Sequence, residues 1–405
     1  MQPAIQPQDL TQPVHSEGTL LALGVTLDTT TACLLENVSG LYRLVGWETL
    51  HRRIDASIPS QCAATCRQLG DKLGRPLWDD EQNRPWLQGE DPIGQPPLAY
   101  VTAGITPRPR LRVWLVGLTK GGSLAAARQA LASAPLELVG MTTLTTDLQS
   151  GHWATKLIDA QPEVLVVVGG HDDADAEVQQ WLNQMGRITG RALERMPPGQ
   201  RPTVFYAGNR WAAEQMQQLL SVGEGPLRFV TLGNVLPAPM VVQSTELAVA
   251  LSRHYWRLAQ RIPGVEQLSS WITSPGRLVN LEASFAQLVQ LWMDYQQLPV
   301  LHGLYCTPHW WLHVWAVQAQ QGVVLRFVKP NFCPPELLTW PPVQVVSGAW
   351  PMALWPPPQR GWWDRSGMAP LVTTVGQVAP MALLQVLEND LLEPRHRRQA
   401  NINIE

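Results

Sequence analysis

The sequence predicts an α/β protein with a parallel sheet covered on both faces, preceded by a short antiparallel meander. Two observations carry this. Three times between residues 113 and 220, a short apolar strand runs into a glycine-containing loop and then a helix. Val113–Gly117 precedes the Ala-rich run Leu124–Leu131. Val164–Val168 precedes Gly169-Gly170-His171-Asp172-Asp173 and a helix from Ala174. Thr203–Tyr206 precedes Ala207-Gly208-Asn209 and a helix through Leu220. Continuous apolar strands alternating with helices are the pattern of strands buried on both faces. Earlier, three strand-like runs follow one another too closely for any crossover, so they pair antiparallel. Parallel sheets of this kind bind small ligands at the carboxyl ends of their strands, where the three loops lie.

Composition narrows the classes of partner. The chain has 405 residues, 45% of them hydrophobic, with a net charge of −3. That length predicts two or three domains. The near-neutral charge supplies no basic field for nucleic acid or a membrane surface. No run of about 18 apolar residues occurs, so no membrane-spanning helix is expected. Met1 to His15 is rich in Gln and Pro and lacks a secretion pattern, so it reads as a tail on a cytoplasmic protein. The 18 tryptophans are unusual, and many follow residue 310. Of the five cysteines, Cys62 and Cys66 share a helical face with Ala63, Leu69 and Leu73, which reads as a core stripe.

Element by element, strands are predicted at Thr19–Val25, Ala32–Glu36 and Tyr42–Thr49, with Asp28-Thr29-Thr30-Thr31 as the turn between the first two. A helix from Pro59 to about Lys72 follows, then a long polar loop over residues 74–97 and a strand at Leu98–Ala103. Between the first two strand–loop–helix units lie a strand at Leu136–Thr142 and a helix at Trp153–Ala160. Leu227–Leu232 closes that sheet. Helices are predicted at Glu246–Arg261, with Ser244 as N-cap, and at Leu281–Tyr295. Strands return at Val300–Tyr305, Trp310–Ala319 and Val323–Val328. Proline and tryptophan dominate residues 329–370, where ladder donors are missing and regular structure should be sparse. A last helix is expected at Met381–Leu387. The meander and Leu98–Ala103 should share one sheet, and residues 111–232 should form another.

Two loops could hold a ligand. Gly24 to Thr31 is a hydroxyl-rich turn whose side chains and backbone N–H groups both donate, which suits a phosphate. Thr26, Asp28, Thr29 and Thr30 are its candidate residues. The second is Gly169-Gly170-His171-Asp172-Asp173, joined by Gly208 and Asn209 of the next loop. Its N–H groups stand at a helix start, but its two aspartates repel an anion and fit helix capping. No GxGxxG or GxxxxGK[ST] pattern occurs. His302, His309 and His313 cluster in sequence, but i,i+4 positions on a strand stand about 13 Å apart, too far to share one metal ion. No metal site is predicted.

Several stretches together resemble a known family. Strand, small-residue turn, strand and Gly40-Leu41-Tyr42-Arg43-Leu44-Val45 look like the opening of the glutamate-mutase MutL family, unrelated to the mismatch-repair protein of that name. Leu115-Val116-Gly117-Leu118-Thr119 before Ala125-Ala126-Ala127-Arg128 is similar to its strand and Ala-rich helix. Pro162 to Asp172, Phe205-Tyr206-Ala207-Gly208-Asn209 and Asn234-Val235-Leu236-Pro237 resemble three further family stretches, and Leu371 to Pro380 a C-terminal one. The resemblance implies the actin/Hsp70-like ATPase superfamily, and with it a degenerate actin-like (ribonuclease H-like) fold carrying an inserted parallel Rossmann-like α/β domain. The expected division is a tail at 1–18, an actin-like piece at 19–106, the insert at 107–240, its completion at 241–330, and a Pro/Trp-rich region at 331–405.

The departures from that family shape the functional reading. Its ATPase chemistry implies an acid just before the phosphate turn to hold Mg²⁺, and here that position is Gly24. A second loop, Asp-x-Gly-Gly-x-Thr, is matched best by His302-Gly303-Leu304-Tyr305-Cys306-Thr307, which lacks the Asp. A Mg-ATP cofactor is therefore disfavoured and no other is implied. The expected function is a non-catalytic accessory protein, a partner-binding or assembly and maintenance factor for a cobalamin-dependent mutase. Homo-oligomerisation stays open, and Trp310 to Trp363 is the expected partner surface. Two alternatives stand beside this: an active nucleotide hydrolase using Thr26, Asp28, Thr29 and Thr30, and a small-molecule-binding domain using the Gly169, Gly208 and Thr119 loops.

Overall fold

The computed structural model describes residues 18–38, 41–53, 55–87, 98–145, 152–173, 175–221, 227–273, 276–297, 300–306, 311–317, 322–328 and 371–373. The expected N-terminal tail, the Met381–Leu387 helix and the region 329–370 lie outside the described residues.

The protein is mixed α/β and includes a wholly parallel sheet. The chain opens with β1 (Thr19–Val25), β2 (Thr29–Val38) and β3 (Leu41–His51), each antiparallel to the one before. Thr29–Thr31 belong to β2 rather than to a turn, so the turn is three residues shorter than the sequence reading made it. Helix α1 (Ile58–Leu73) begins at Ser57, whose hydroxyl accepts from Ser60 N, and ends at Gly74 in the left-handed region. Its Cys62, Cys66 and Leu69 pack with Leu21, Leu23 and Leu34, the core stripe expected for those cysteines. The following loop carries a minimal hairpin, β4 (Trp78–Asp79) and β5 (Arg84–Pro85). Then β6 (Leu98–Ile105) pairs parallel to β1.

A five-stranded parallel sheet follows. Its strands are β7 (Leu111–Gly117), β8 (Leu136–Thr143), β9 (Val164–Val167), β10 (Thr203–Tyr206) and β11 (Phe229–Thr231), in the order β11-β10-β9-β7-β8. Helix α2 (Ser123–Ala132) covers one face, while α3 (His152–Ala160), α4 (Ala176–Glu194) and α5 (Ala213–Leu220) cover the other. Val113, Leu115, Val164 and Val166 face the first core, and Val116, Leu165, Val167 and Val204 face the second. Two-sided burial is why these strands read as unbroken apolar runs.

Helix α4 starts two residues later than the sequence implies. Its N-cap is Asp175, which accepts from Val178 N, so Asp172 and Asp173 do not cap it. Helix α6 (Thr245–Ala259) packs Leu247, Leu251 and Tyr255 on the α2 face of the parallel sheet. Ser244 stands at its N-cap without a side-chain hydrogen bond.

The chain then returns to the first sheet. Helix α7 (Val265–Ser270) joins the α1 core through Val265 and Leu268, and β12 (Leu278–Asn280) pairs parallel to β6. The finished first sheet has the order β12-β6-β1-β2-β3. Neither α7 nor β12 stands out in the sequence. Helix α8 (Leu281–Gln296) leads to a third sheet of β13 (Val300–Cys306), β14 (Trp311–Val317), β15 (Gly322–Val328) and β16 (Leu371–Thr373), ordered β15-β14-β13-β16. Phe285, Val289 and Met293 of α8 pack on Leu301, Leu312 and Val314. The two flanking sheets share a pattern: three consecutive antiparallel strands, with a later strand parallel to the first, as β6 is to β1 and β16 to β13.

Candidate functional site

The order of the parallel sheet places a crevice. From β7 the chain steps to β8 on one side, then crosses back to β9 on the other and continues outward through β10 and β11. The direction reverses between β7 and β9, which are paired neighbours. The loop after β7 leads to α2 on one face and the loop after β9 leads to α4 on the other, so the two loops diverge. Open α/β sheets bind ligands at this switch point. A cleft of ≈ 460 Å³ lies here. Thr119, Gly121, Gly122 and Ser123 form one wall, and Gly169, Gly170, His171, Asp173 and Asp175 the other. Leu236 and Pro239 border it.

The walls differ in chemistry. Helix α2 begins at Gly122, which offers no side-chain acceptor, and its first turn holds no acid. Its partial positive end is therefore uncompensated by any local carboxylate. The opposite wall carries Asp173, exposed, and Asp175, which caps α4.

The second wall is held in shape from behind. Gly169 and Gly170 have φ of 148° and 72°, values that side chains rarely adopt. Two buried asparagines bracket the loop they begin. Asn209 Nδ2 donates to His171 O, and its Oδ1 accepts from Trp211 N at 2.9 Å and Ala212 N at 3.0 Å. Asn234 Nδ2 lies 2.9 Å from both Gly170 O and Asp172 Oδ1, and its Oδ1 accepts from Leu236 N at 3.0 Å. Asp172 Oδ1 also accepts from Arg210 N, and His171 Nδ1 sits 3.0 Å from Leu236 O. Tyr206 Oη donates to Asn209 O at 2.9 Å. Burial raises that phenol well above its ordinary value, with the Asp172 charge adding to the effect. Thus the stretches 162–172, 205–209 and 234–237 converge in one hydrogen-bonded cluster.

The sequence-derived site residues fall in two places. Gly169 and Gly170 line the cleft. Gly208 and Asn209 support it from behind: a Cβ at Gly208 would stand 2.8 Å from Gly169 O, and both ends of the Asn209 amide are engaged. Thr26, Asp28, Thr29 and Thr30 sit on the first sheet, apart from this cleft. There Thr26 Oγ1 accepts from Asp28 N at 3.2 Å and Thr29 N at 2.9 Å, and Thr26 N donates to Thr29 O. Thr30 is fully buried with its hydroxyl 3.5 Å from Gln61 Oε1. The turn spends these donors on itself. A Cβ at Gly24 would meet Thr31 Cβ at 3.6 Å and Thr31 O at 4.0 Å, ordinary contact distances, so the missing acid there is not dictated by crowding.

Gly303, in the proposed second phosphate loop, lies beneath Val289 and Phe285 of α8 and serves close packing. Thr307 and His309 lie outside the described residues. Among the described residues no three His, Cys, Asp or Glu side chains are grouped to hold a metal ion. No helix among them is long and apolar enough to cross a membrane. Sequence reasoning missed Gly122, Asn234 as a bracket, and Asp175 as the cap. The absence of any capping side chain before Ser123 was the signal for the first.

Residues 108–285 match the family model described as MutL protein. Those residues are similar to the MutL family. The matched segment contains the whole parallel sheet, the cleft and both bracketing asparagines, and the resemblance read from the sequence holds there. No curated protein matches the chain. Among solved structures, one titled "Mechanism of ATP-Dependent Acetone Carboxylation, Acetone Carboxylase nucleotide-free structure" aligns at 9% identity and a TM-score of 0.33. The alignment covers 76% of this chain and 48% of that one, so this chain spans about half the length of that structure.

Proposed function

We propose that this chain is a MutL-type accessory protein that binds a small polar ligand in the switch-point cleft and does not hydrolyse nucleotide. The observation that carries the reading is the cleft itself. It lies between diverging loops at the carboxyl ends of β7 and β9, and its second wall is built from the stretches that carry the family resemblance. Opposed walls, one an uncapped helix start and one lined by aspartates, suit a ligand bearing both an acidic and a donor group.

The frame is a degenerate actin-like, ribonuclease H-like fold, with the parallel sheet inserted between β6 and β12. The repeated strand pattern of the two flanking sheets supports this. A protein partner, a cobalamin-dependent mutase, follows from the MutL kinship, and the ligand cleft is the element through which the partner's state would be sensed or served. Hydrolysis is disfavoured because the β1–β2 turn consumes its own donors and no carboxylate precedes it.

A thermal-shift panel tests the reading, with Mg-nucleotides, sugar phosphates and free amino acids against the protein and against Thr119→Trp, which fills the cleft from an exposed position. At least one ligand should raise the melting temperature of the parent protein and not of the variant. A ligand that stabilises both equally binds elsewhere and overturns the assignment.

A further inference from the structure

The chain leaves the first sheet at two places, and one hydrogen bond ties them together. Strand β6 ends at Ile105 and β12 at Asn280, and these two residues are register partners. The next residue after Ile105, Thr106, opens the linker to the parallel sheet. Two residues after Asn280, Glu282 lies in the first turn of α8, which carries the third sheet. Thr106 Oγ1 donates to Glu282 Oε2 at 2.8 Å, while Thr106 N donates to Val25 O at 2.7 Å. Glu282 is 2% exposed, and its other oxygen, Oε1, is buried without an aligned donor.

Among the described residues no Lys, Arg or His is ion-paired with this carboxyl. Asn280 stands nearby, but its Oδ1 is engaged in capping α8 at Ala283 N. Helix α6 presents Tyr255, whose hydroxyl donates to Arg108 O in the linker at 3.1 Å. Arg108 lies over the Tyr255 ring, 5.7 Å from its centroid, and is ion-paired with Glu163. Strand β13 contributes Tyr305, whose ring lies tilted against Phe285 of α8 with centroids 5.6 Å apart, and whose charge would be felt at Tyr255. Burial lifts Glu282 to about 7, and hydrogen bonds from its own N–H, Thr106 and Asn280 limit the rise.

We propose that Glu282 is a proton-operated latch holding the two chain crossings, and with them the parallel sheet and α8, against the first sheet. Protonated, it is a neutral acid that keeps Thr106 in place and closes the joint. Once its proton passes to water, a buried carboxylate is left with no paired cation among the described residues, and opening of the joint to solvent hydrates it. The latch lies where the chain crosses from the first sheet to the parallel sheet and to α8, and it is independent of what the cleft binds.

Amide hydrogen exchange of the full chain tests this between pH 5 and 8, followed on peptides spanning residues 103–110 and 278–284 and corrected for intrinsic rates. The opening equilibrium of the joint should rise by roughly tenfold per pH unit up to about pH 7 and then level off. Peptides of β9 and β10 should not follow it. In Glu282→Gln, neutral at every pH, joint opening should stay at the acid value. A flat profile in the parent protein, or the same rise in Glu282→Gln, overturns the proposal. If Glu282→Gln does not fold, the parent profile with its β9 and β10 controls decides alone.

Discussion

Asn209 and Asn234 hold one loop from two sides: Asn209 Nδ2 donates to His171 O, and Asn234 Nδ2 donates to Gly170 O one residue earlier. Each uses its other end to fix its own segment, the 3₁₀ turn at Arg210–Ala212 and the turn at Leu236. The loops after β9, β10 and β11 are therefore hydrogen-bonded into a single unit, and one wall of the cleft is held by two amides that do not line it.

Removing either bracket should loosen that unit. Asn234→Ala removes the side-chain donor to Gly170 O, one of the two donors to Asp172 Oδ1 and the acceptor of Leu236 N, and is expected to cost about 1–3 kcal/mol. Asn209→Ala should cost at least as much, since it also uncaps the 3₁₀ turn. Because both touch one loop, the double variant should lose less than the sum. Denaturant unfolding of the four proteins measures this, and full additivity would mean that the brackets act separately.

Two glycines should respond oppositely to alanine. Gly208→Ala drives a methyl against the Gly169 backbone, which cannot yield as a side chain would, and should cost about 2 kcal/mol or more together with ligand binding. Gly24→Ala meets ordinary packing distances and should change stability by less than about 1 kcal/mol. Thermal unfolding and the ligand panel compare them directly.

Two buried groups set opposing pH arms. Burial, reinforced by Arg257, Arg108 and Arg228 and opposed by Glu163, lowers His254 to about 4. A folded value below the unfolded one gives stability that is full above about pH 6.5 and lost as pH falls towards 4. Glu282 is raised, so its contribution is full below about pH 4.5 and lost as pH rises through about 7. Each slope should be at most about 1.4 kcal/mol per pH unit. His254→Phe should flatten the acid arm and Glu282→Gln the neutral arm. Unfolding free energies from pH 4 to 8 for the three proteins check both assignments.

Much of this fold is legible in sequence because its strands are buried on both faces. Val164–Val167 and Thr203–Tyr206 announce themselves as apolar runs between helices, and Cys62, Cys66 and Leu69 as a helical stripe. What stays hidden is short or long-range. Strand β12 is three residues held by β6, and no local pattern distinguishes it from a loop. Helix α6 is amphipathic in sequence, but nothing local says that its apolar face meets the parallel sheet rather than the first. At the site, the glycines are visible and the brackets are not, since an asparagine reveals its partners only after residues 170 and 234 meet. Thr30 misleads for the opposite reason: a hydroxyl in a polar run looks available until strand pairing buries it.

Phosphoryl transfer needs a positioned Mg²⁺ and compensation for developing charge. The β1–β2 turn offers neither, having Gly24 where an acid would stand and Thr26 bonded within its own turn. The purified chain with Mg²⁺ and ATP should therefore release no phosphate above a heat-treated control. Turnover abolished by Asp28→Asn would promote the nucleotide hydrolase reading instead.

The most direct measurement of the central claim is the difference electron density of crystals soaked with the best-stabilising ligand of the panel. Density between residues 118–124 and 169–178, with Gly170 and Ser123 on its two sides, is the predicted result. Density at the turn of Thr26 to Thr30, with the switch-point cleft empty, would contradict it.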